Sequence, residues 1–174
     1  MNTGDAMSSS YDELKRRLDA WDDIEKIKRL KYRYLECIDR GDFDGHRELC
    51  LANVEVDLKG GAYHLLFDNV EDFIASNKKA FSSEVLSSHT GHHPQIDLLG
   101  PGSARSRWYL LDTFVNITDR QVFNGSAVYE DLCEKVAGEW KFKRISYRRV
   151  FETVEPLREI PNVTASVVRR HELP

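Results

Sequence analysis

"GSAVYEDLCEKVAGEWKFKRISYRRV", Gly125 to Val150, reads as two long strands meeting at the Gly138 turn. The second runs on as "FETV" until Pro156 breaks it. Two more strand stretches precede it. "HTGHHPQIDLL" ends in the turn "GPGS", and "ARSRWYLLDTFVNIT" is rich in aromatic and β-branched residues. Strand signals therefore fill the chain from Ser87 onward.

Helical signals come first. In "IEKIKRLKYRYLECID", Ile24, Ile27, Leu30, Tyr34 and Ile38 recur at three and four residues as one apolar stripe. Gly41 is a natural stop. Ser10 is the expected cap of a first helix, "YDELKRRLDA", and Asp22 or Asp23 of the second. "DFDGHRELCLA" suggests a short third helix, weakened by Gly45. "VEVDL" and "AYHLL" alternate around Gly60 and Gly61 as a hairpin. "NVEDFIASNKKAF" has helical spacing at Val70, Phe73, Ile74 and Asn77. Helices followed by long strands predict an α+β fold in which a strongly curved mixed or antiparallel sheet wraps the helices. The expected division is a disordered lead over 1–10, one domain over 11–155 and a polar tail over 156–174. Neither βα alternation nor a glycine-rich phosphate loop is present.

Composition narrows the function. A chain of 174 residues is most simply one domain. A net charge of -4 gives no electrostatic reason to bind nucleic acid or acidic membranes. No apolar run is long enough to span a bilayer. "MNTGDAMSSS" lacks the look of a signal peptide, so a cytoplasmic setting is expected. Cys37, Cys50 and Cys133 are odd in number and scattered, without CxxC. That argues against a disulfide frame or structural zinc, and Cys37 and Cys50 read as core fillers.

Three of six histidines crowd into "SSHTGHHPQIDLLG", Ser87–Gly100. Strand alternation puts His89, Gly91, His93 and Gln95 on one face and His92, Pro94 and Ile96 on the other. His92 and His93 then diverge, and HxH and HExxH are missing, so no metal is expected. If His89 faces a pocket, His93 should follow it. His46, His64 and His171 read as surface or rim residues. Asp112 sits among apolar residues, buried, paired or pocket-facing. Arg144 shares strand parity with Trp140 and Phe142, so an inward guanidinium could hold a carboxylate or phenolate. Tyr129 lines a pocket or packs in the sheet. Trp108, Phe114, Trp140 and Phe142 read as core, with Trp108 also a candidate pocket wall. "YRRV" and "KRRLD" read as solvated faces.

These pieces together resemble the SnoaL-like branch of the nuclear transport factor 2-like superfamily. The resemblance covers roughly Ile24 to Val154. It rests on "IEKIKRLKYRYLECIDRGDFD", "HTGHHPQIDL" and the closing strand pair with its Gly-Glu-Trp turn. It implies a cone-shaped α+β barrel with a deep pocket. The closest catalytic pattern looks like that of scytalone dehydratase, bile-acid 7α-dehydratase and hexachlorocyclohexane dehydrochlorinase, which share an acid–histidine pair. Matched residue by residue, the acid is Asp39 in "ECIDRGD" and the histidine is His89 in "SSHTGHH". Tyr34 stands where the bile-acid enzyme has a tyrosine.

The implied function is a cofactor-independent lyase of the dehydratase type, or an isomerase, on a small hydrophobic, cyclic or polycyclic substrate. The alternative is a non-catalytic ligand-binding or dimerisation module of the same fold. Such chemistry needs a base and a hydrogen-bond donor, which His89, oriented by Asp39, and Tyr34 would supply. One geometric point stands against it. Residues five apart on a helix lie about 140° around the axis, so Tyr34 and Asp39 share no face. A final non-helical turn before Gly41 is expected to swing Asp39 inward. Apolar residues at both parities of "RWYLLDTFVNIT" suggest a covered outer sheet face and hence a homodimer or homotrimer.

Overall fold

The computed structural model describes residues 3–61, 63–81 and 84–166. The elements are α1 (Thr3–Arg40), α2 (Phe43–Glu48), β1 (Cys50–Lys59), β2 (His64–Phe67), α3 (Val70–Ala80), β3 (Val85–Gly100), β4 (Ser103–Asn116), β5 (Gln121–Val136) and β6 (Glu139–Pro156). They form one six-stranded sheet in the order β2-β1-β6-β5-β4-β3. β1 and β6 run parallel and the other neighbours antiparallel, so the sheet is mixed. Helices pack on its inner face, the α+β arrangement that the sequence pattern predicted and the cone that the resemblance implied.

α1 is one helix where two were expected, and it includes residues 3–10 of the expected lead. No Gly or Pro interrupts Asp5 to Arg40. The expected caps have other partners. Asp22 pairs with Lys26 one turn on. Asp23 accepts from Trp140 Nε1 at 2.9 Å and Lys135 Nζ at 2.6 Å, pinning the helix to the β5–β6 hairpin. The roughly three turns before that anchor stand clear of the domain, with Tyr11, Leu14, Leu18 and Trp21 exposed. Beyond it, Ile27, Leu30, Tyr34 and Ile38 enter the core.

The helix keeps its geometry through Asp39 and ends at Gly41, whose φ is +66°. There Gly41 N–H donates to Ile38 O and Asp42 N–H to Cys37 O, the paired bonds of a Schellman cap. The expected non-helical turn at Asp39 is therefore absent. Residues 157–166 follow β6 without regular structure, and the remainder of the expected tail, with His171, lies outside the described residues.

Bulges decide which polar residues face inward. Between His92 and Gln95 the β3–β4 register shifts, and His93 takes a left-handed φ of 51°. Parity reverses there. Ile96 and Leu98 pack on the core, while His93 is exposed. In β6, Phe142 pairs with Cys133 but Arg144 with Leu132, leaving Lys143 as an extra residue. Arg149 pairs with Ala127 but Phe151 with Ser126, leaving Val150 extra. The first shift turns Arg144 outward and brings Ile145, Tyr147 and Arg149 inward. The second does the same for Glu152.

Candidate functional site

A cavity of about 290 Å³ lies between α1, α3 and the inner face of the sheet. Its walls are largely apolar: Ile38, Leu58, Phe81, Leu110, Phe114 and Phe123 line it. Tyrosines 34, 63, 129 and 147 add rings with polar tips. The wall also carries the imidazole of His89, the carboxyl groups of Asp112 and Glu152 and the guanidinium of Arg149. Three of them stand on one row across the sheet, since His89 pairs with Asp112, Asp112 with Gly125, and Gly125 with Glu152.

Asp39 approaches this row from α1. Its Oδ1 lies 2.6 Å from His89 Nδ1 and accepts from Ser87 Oγ at 2.8 Å. Its Oδ2 accepts the His89 backbone N–H at 2.9 Å. The 140° offset explains the arrangement. Tyr34 and Ile38 point at the cavity, while Leu35 and Asp39, one turn apart, lie along β3. Leu35 fits there against Gly91, where a Cβ would come within 2.7 Å of its Cδ1. Asp39 thus stands behind the imidazole rather than in the cavity. Burial works to raise its pKa, but the hydrogen bonds from His89 and Ser87 outweigh it and hold the carboxyl below its ordinary 3.8. With Nδ1 engaged, Nε2 is the ring nitrogen left to the cavity.

Next along the row, Arg149 and Asp112 form a bidentate pair, Nη1–Oδ1 at 2.5 Å and Nη2–Oδ2 at 2.8 Å. Gly125 makes it possible. A Cβ there would sit 2.8 Å from Arg149 Nη1 and 3.0 Å from Phe151 O. Glu152 Oε2 lies 3.0 Å from Arg149 Nε, and Glu152 Oε1 accepts the Gly61 N–H at 3.3 Å. Arg149 Nη2 also reaches the Tyr63 hydroxyl, which in turn contacts the hydroxyl of Tyr147. Burial would lower the Arg149 pKa, but the bond to Asp112 overrides it, so the guanidinium stays charged.

Below the cavity, Tyr34 is 1% exposed and its ring meets Tyr129, Phe142 and His46 edge-on. Burial raises the pKa of both Tyr34 and Tyr129, keeping their hydroxyls neutral donors. Beneath them Lys31 Nζ lies 2.9 Å from Asp131 Oδ2 and 3.2 Å above the Tyr129 ring centroid. His46 is fully buried beside Asn77 instead of on the rim, and desolvation lowers its pKa to about 3. His64 is exposed on β2, 2.7 Å from Asp57.

The structure brings Tyr34, His89, Asp112 and Tyr129 to the cavity, with Asp39 behind His89. It keeps three expected binding residues away. His93 turns out at the bulge, its Nδ1 2.7 Å from His92 Nδ1, and both rings pack by Tyr109. Arg144 is exposed on the outer face, 4.0 Å from Asp57. Trp108 is fully buried in the core, edge-on to Tyr32. Arg149 was missed because "YRRV" read as a solvated face, and Glu152 in "FETV" was not singled out. Their signal was parity with Trp140 once two bulges are counted. Among the described residues no three His, Cys, Asp or Glu side chains converge on a point suited to a metal ion. No helix among them is long and apolar enough to cross a membrane.

A proposed scytalone dehydratase from Novosphingobium aromaticivorans DSM 12444 superposes with a TM-score of 0.69 at 19% identity, covering 82% of this chain and 98% of that one. A type 2 hexachlorocyclohexane dehydrochlorinase gives 0.74 at 15% identity, covering 84% and 99%. A proposed aromatic ring hydroxylase from Novosphingobium aromaticivorans gives 0.69 at 15% identity, covering 78% and 93%. Three chemistries on one fold show that the likeness carries the fold and leaves the reaction to the site. The SnoaL-like domain model matches residues 19–146, the stretch holding α1's core half and five strands in full, and the chain belongs to that family.

Proposed function

We propose that this protein is a cofactor-independent lyase, acting by elimination on a small hydrophobic molecule held in the cavity. The observation that carries the reading is the 2.6 Å contact of Asp39 with His89 Nδ1 on the wall of an apolar cavity. A carboxylate on Nδ1 fixes the tautomer whose Nε2 lone pair is free and stabilises the imidazolium that forms. His89 Nε2 takes a proton from a carbon beside an activating group. The C–H electron pair becomes the new π bond, and the leaving group departs from the adjacent carbon with its bonding electrons. A halide leaves as the anion. A hydroxide takes the proton back from the imidazolium and leaves as water. Returning that proton to a different carbon instead gives isomerisation from the same parts. Tyr34, neutral and buried, donates a hydrogen bond to the substrate's oxygen.

The test is a panel of neutral cyclic β-hydroxy ketones and halogenated cycloalkanes, followed by the ultraviolet absorbance of the conjugated product or by halide release. His89→Ala should lower turnover about 10²–10⁴-fold, the range for a positioned general base. Asp39→Asn should be severe as well, because the amide can favour the wrong tautomer. Exposed His93→Ala should leave turnover near wild type. A ligand that binds wild type and His89→Ala equally, with no product from either, would instead make this a binding module.

A further inference from the structure

We propose that the cavity selects an uncharged molecule of about two rings, and that Glu152 is the residue that turns carboxylates away. This names the substrate class for the site read above as catalytic, and it rests on that cavity being the binding site. Size comes first. An apolar cavity of about 150 Å³ takes benzene. This one, at about 290 Å³, has room for two fused or linked rings.

Charge supplies the selection. Arg149 is the cation on the cavity wall, and an arginine in a pocket ordinarily invites a carboxylate. Here its fork is already taken. Nη1 and Nη2 hold Asp112 edge-on, and Nε faces Glu152 Oε2 at 3.0 Å. No paired edge of the guanidinium remains for an incoming anion. Glu152 goes further. Its Oε2 is buried and makes no aligned hydrogen bond, despite the close Nε. With Asp112 it sets two carboxylates against one guanidinium at this end of the cavity, while Asp39 backs His89 at the other. An anion entering this apolar space loses its hydration and meets surplus negative charge. A carbonyl or hydroxyl loses much less and still finds donors in the tyrosine hydroxyls.

The experiment uses two probes of one shape, 2-naphthamide and 2-naphthoate, titrated by calorimetry into the full chain at pH 7. Wild type should bind the amide at least about tenfold more tightly than the carboxylate, as expected for like charge in a poorly screened site. Glu152→Gln, close in shape, should cut that ratio by about threefold or more, mainly by strengthening naphthoate binding. Equal or tighter binding of naphthoate to wild type would overturn the proposal, as would a ratio unchanged in Glu152→Gln. Binding of neither probe would overturn the size and polarity assigned to the cavity. Because both titrations read binding without turnover, loss of the lyase reading in His89→Ala assays would leave this result standing, and the reverse holds equally.

Discussion

Lys31–Asp131, which ties α1 to β5, and Arg149–Asp112–Glu152, which spans β4 and β6, are built from the same kinds of groups, yet they do different work. The first is sealed, with side chains 1% and 0% exposed, and Asp131 Oδ1 lacks a hydrogen bond. Desolvation pushes the Lys31 pKa down and the Asp131 pKa up, and the attraction between the two partners opposes both shifts. The second borders the cavity. There Arg149 keeps its charge, with its fork committed to Asp112 and Glu152 beside it. A lysine suits the sealed place because it fits among the Tyr34, Tyr129 and Phe142 rings as a point charge. An arginine suits the open one because its fork can be committed to Asp112 in a fixed plane. The difference is one of solvent access: the inner pair fixes the floor, and the outer cluster sets what the site accepts.

The largest effect expected from this contrast is on stability. Lys31→Ala or Asp131→Ala alone leaves an unpaired buried charge and should cost about 3–5 kcal/mol in urea unfolding. The double change Lys31→Met with Asp131→Leu should recover most of that loss. If the single changes cost no more than a surface pair, about 1 kcal/mol, the inner pair is not sealed as described.

A smaller effect is expected at the open cluster. Gly125→Ala forces a methyl against Arg149 Nη1 and Phe151 O, and overpacking of this kind costs about 1–3 kcal/mol. It should also displace the guanidinium from Asp112, seen as a changed naphthamide-to-naphthoate ratio. A variant with unaltered ratio and stability would mean that Gly125 does not shape the cluster.

The smallest concerns pH. Asp39 has a folded pKa below its ordinary 3.8, so its bonds contribute stability above that value and lose it as pH falls through the folded pKa. Asp23, held down by Lys135 and Trp140 against the opposing effect of burial, behaves alike. Asp39→Asn should therefore be less stable than wild type by about 1 kcal/mol near neutrality, and the gap should close below about pH 4. A gap that widens in acid would have the sign wrong.

Periodicity carried much of this fold in plain sight. The stripe Ile27, Leu30, Tyr34, Ile38 and the alternation of the late strands specify a helix against a sheet. Lys31 was legible too, since it lies within that stripe, four residues after Ile27 and three before Tyr34. Asp131 alternates with Tyr129 and Cys133. What periodicity could not carry was a change of parity. His93 lies in a bulge and Arg144, Arg149 and Glu152 lie beyond one, and each bulge depends on pairing with a distant strand. The split of α1 failed for a similar reason. Asp23 resembles a cap locally, but its partners are 112 and 117 residues away. The pairing of Asp39 with His89 could be suggested by resemblance, whereas its geometry comes from a helix face that one sequence does not assign to a strand.

The tautomer of His89 bears most directly on the proposed chemistry, and it can be read without a substrate. Two-bond proton–nitrogen correlation spectra, assigned with His89→Ala, distinguish the ring nitrogens when the imidazole is neutral. Asp39 Oδ1 at 2.6 Å requires the proton on Nδ1 and a bare, accepting Nε2, with the preference lost in Asp39→Asn. A proton found on Nε2 in the wild-type protein would leave no base facing the cavity and would contradict the mechanism.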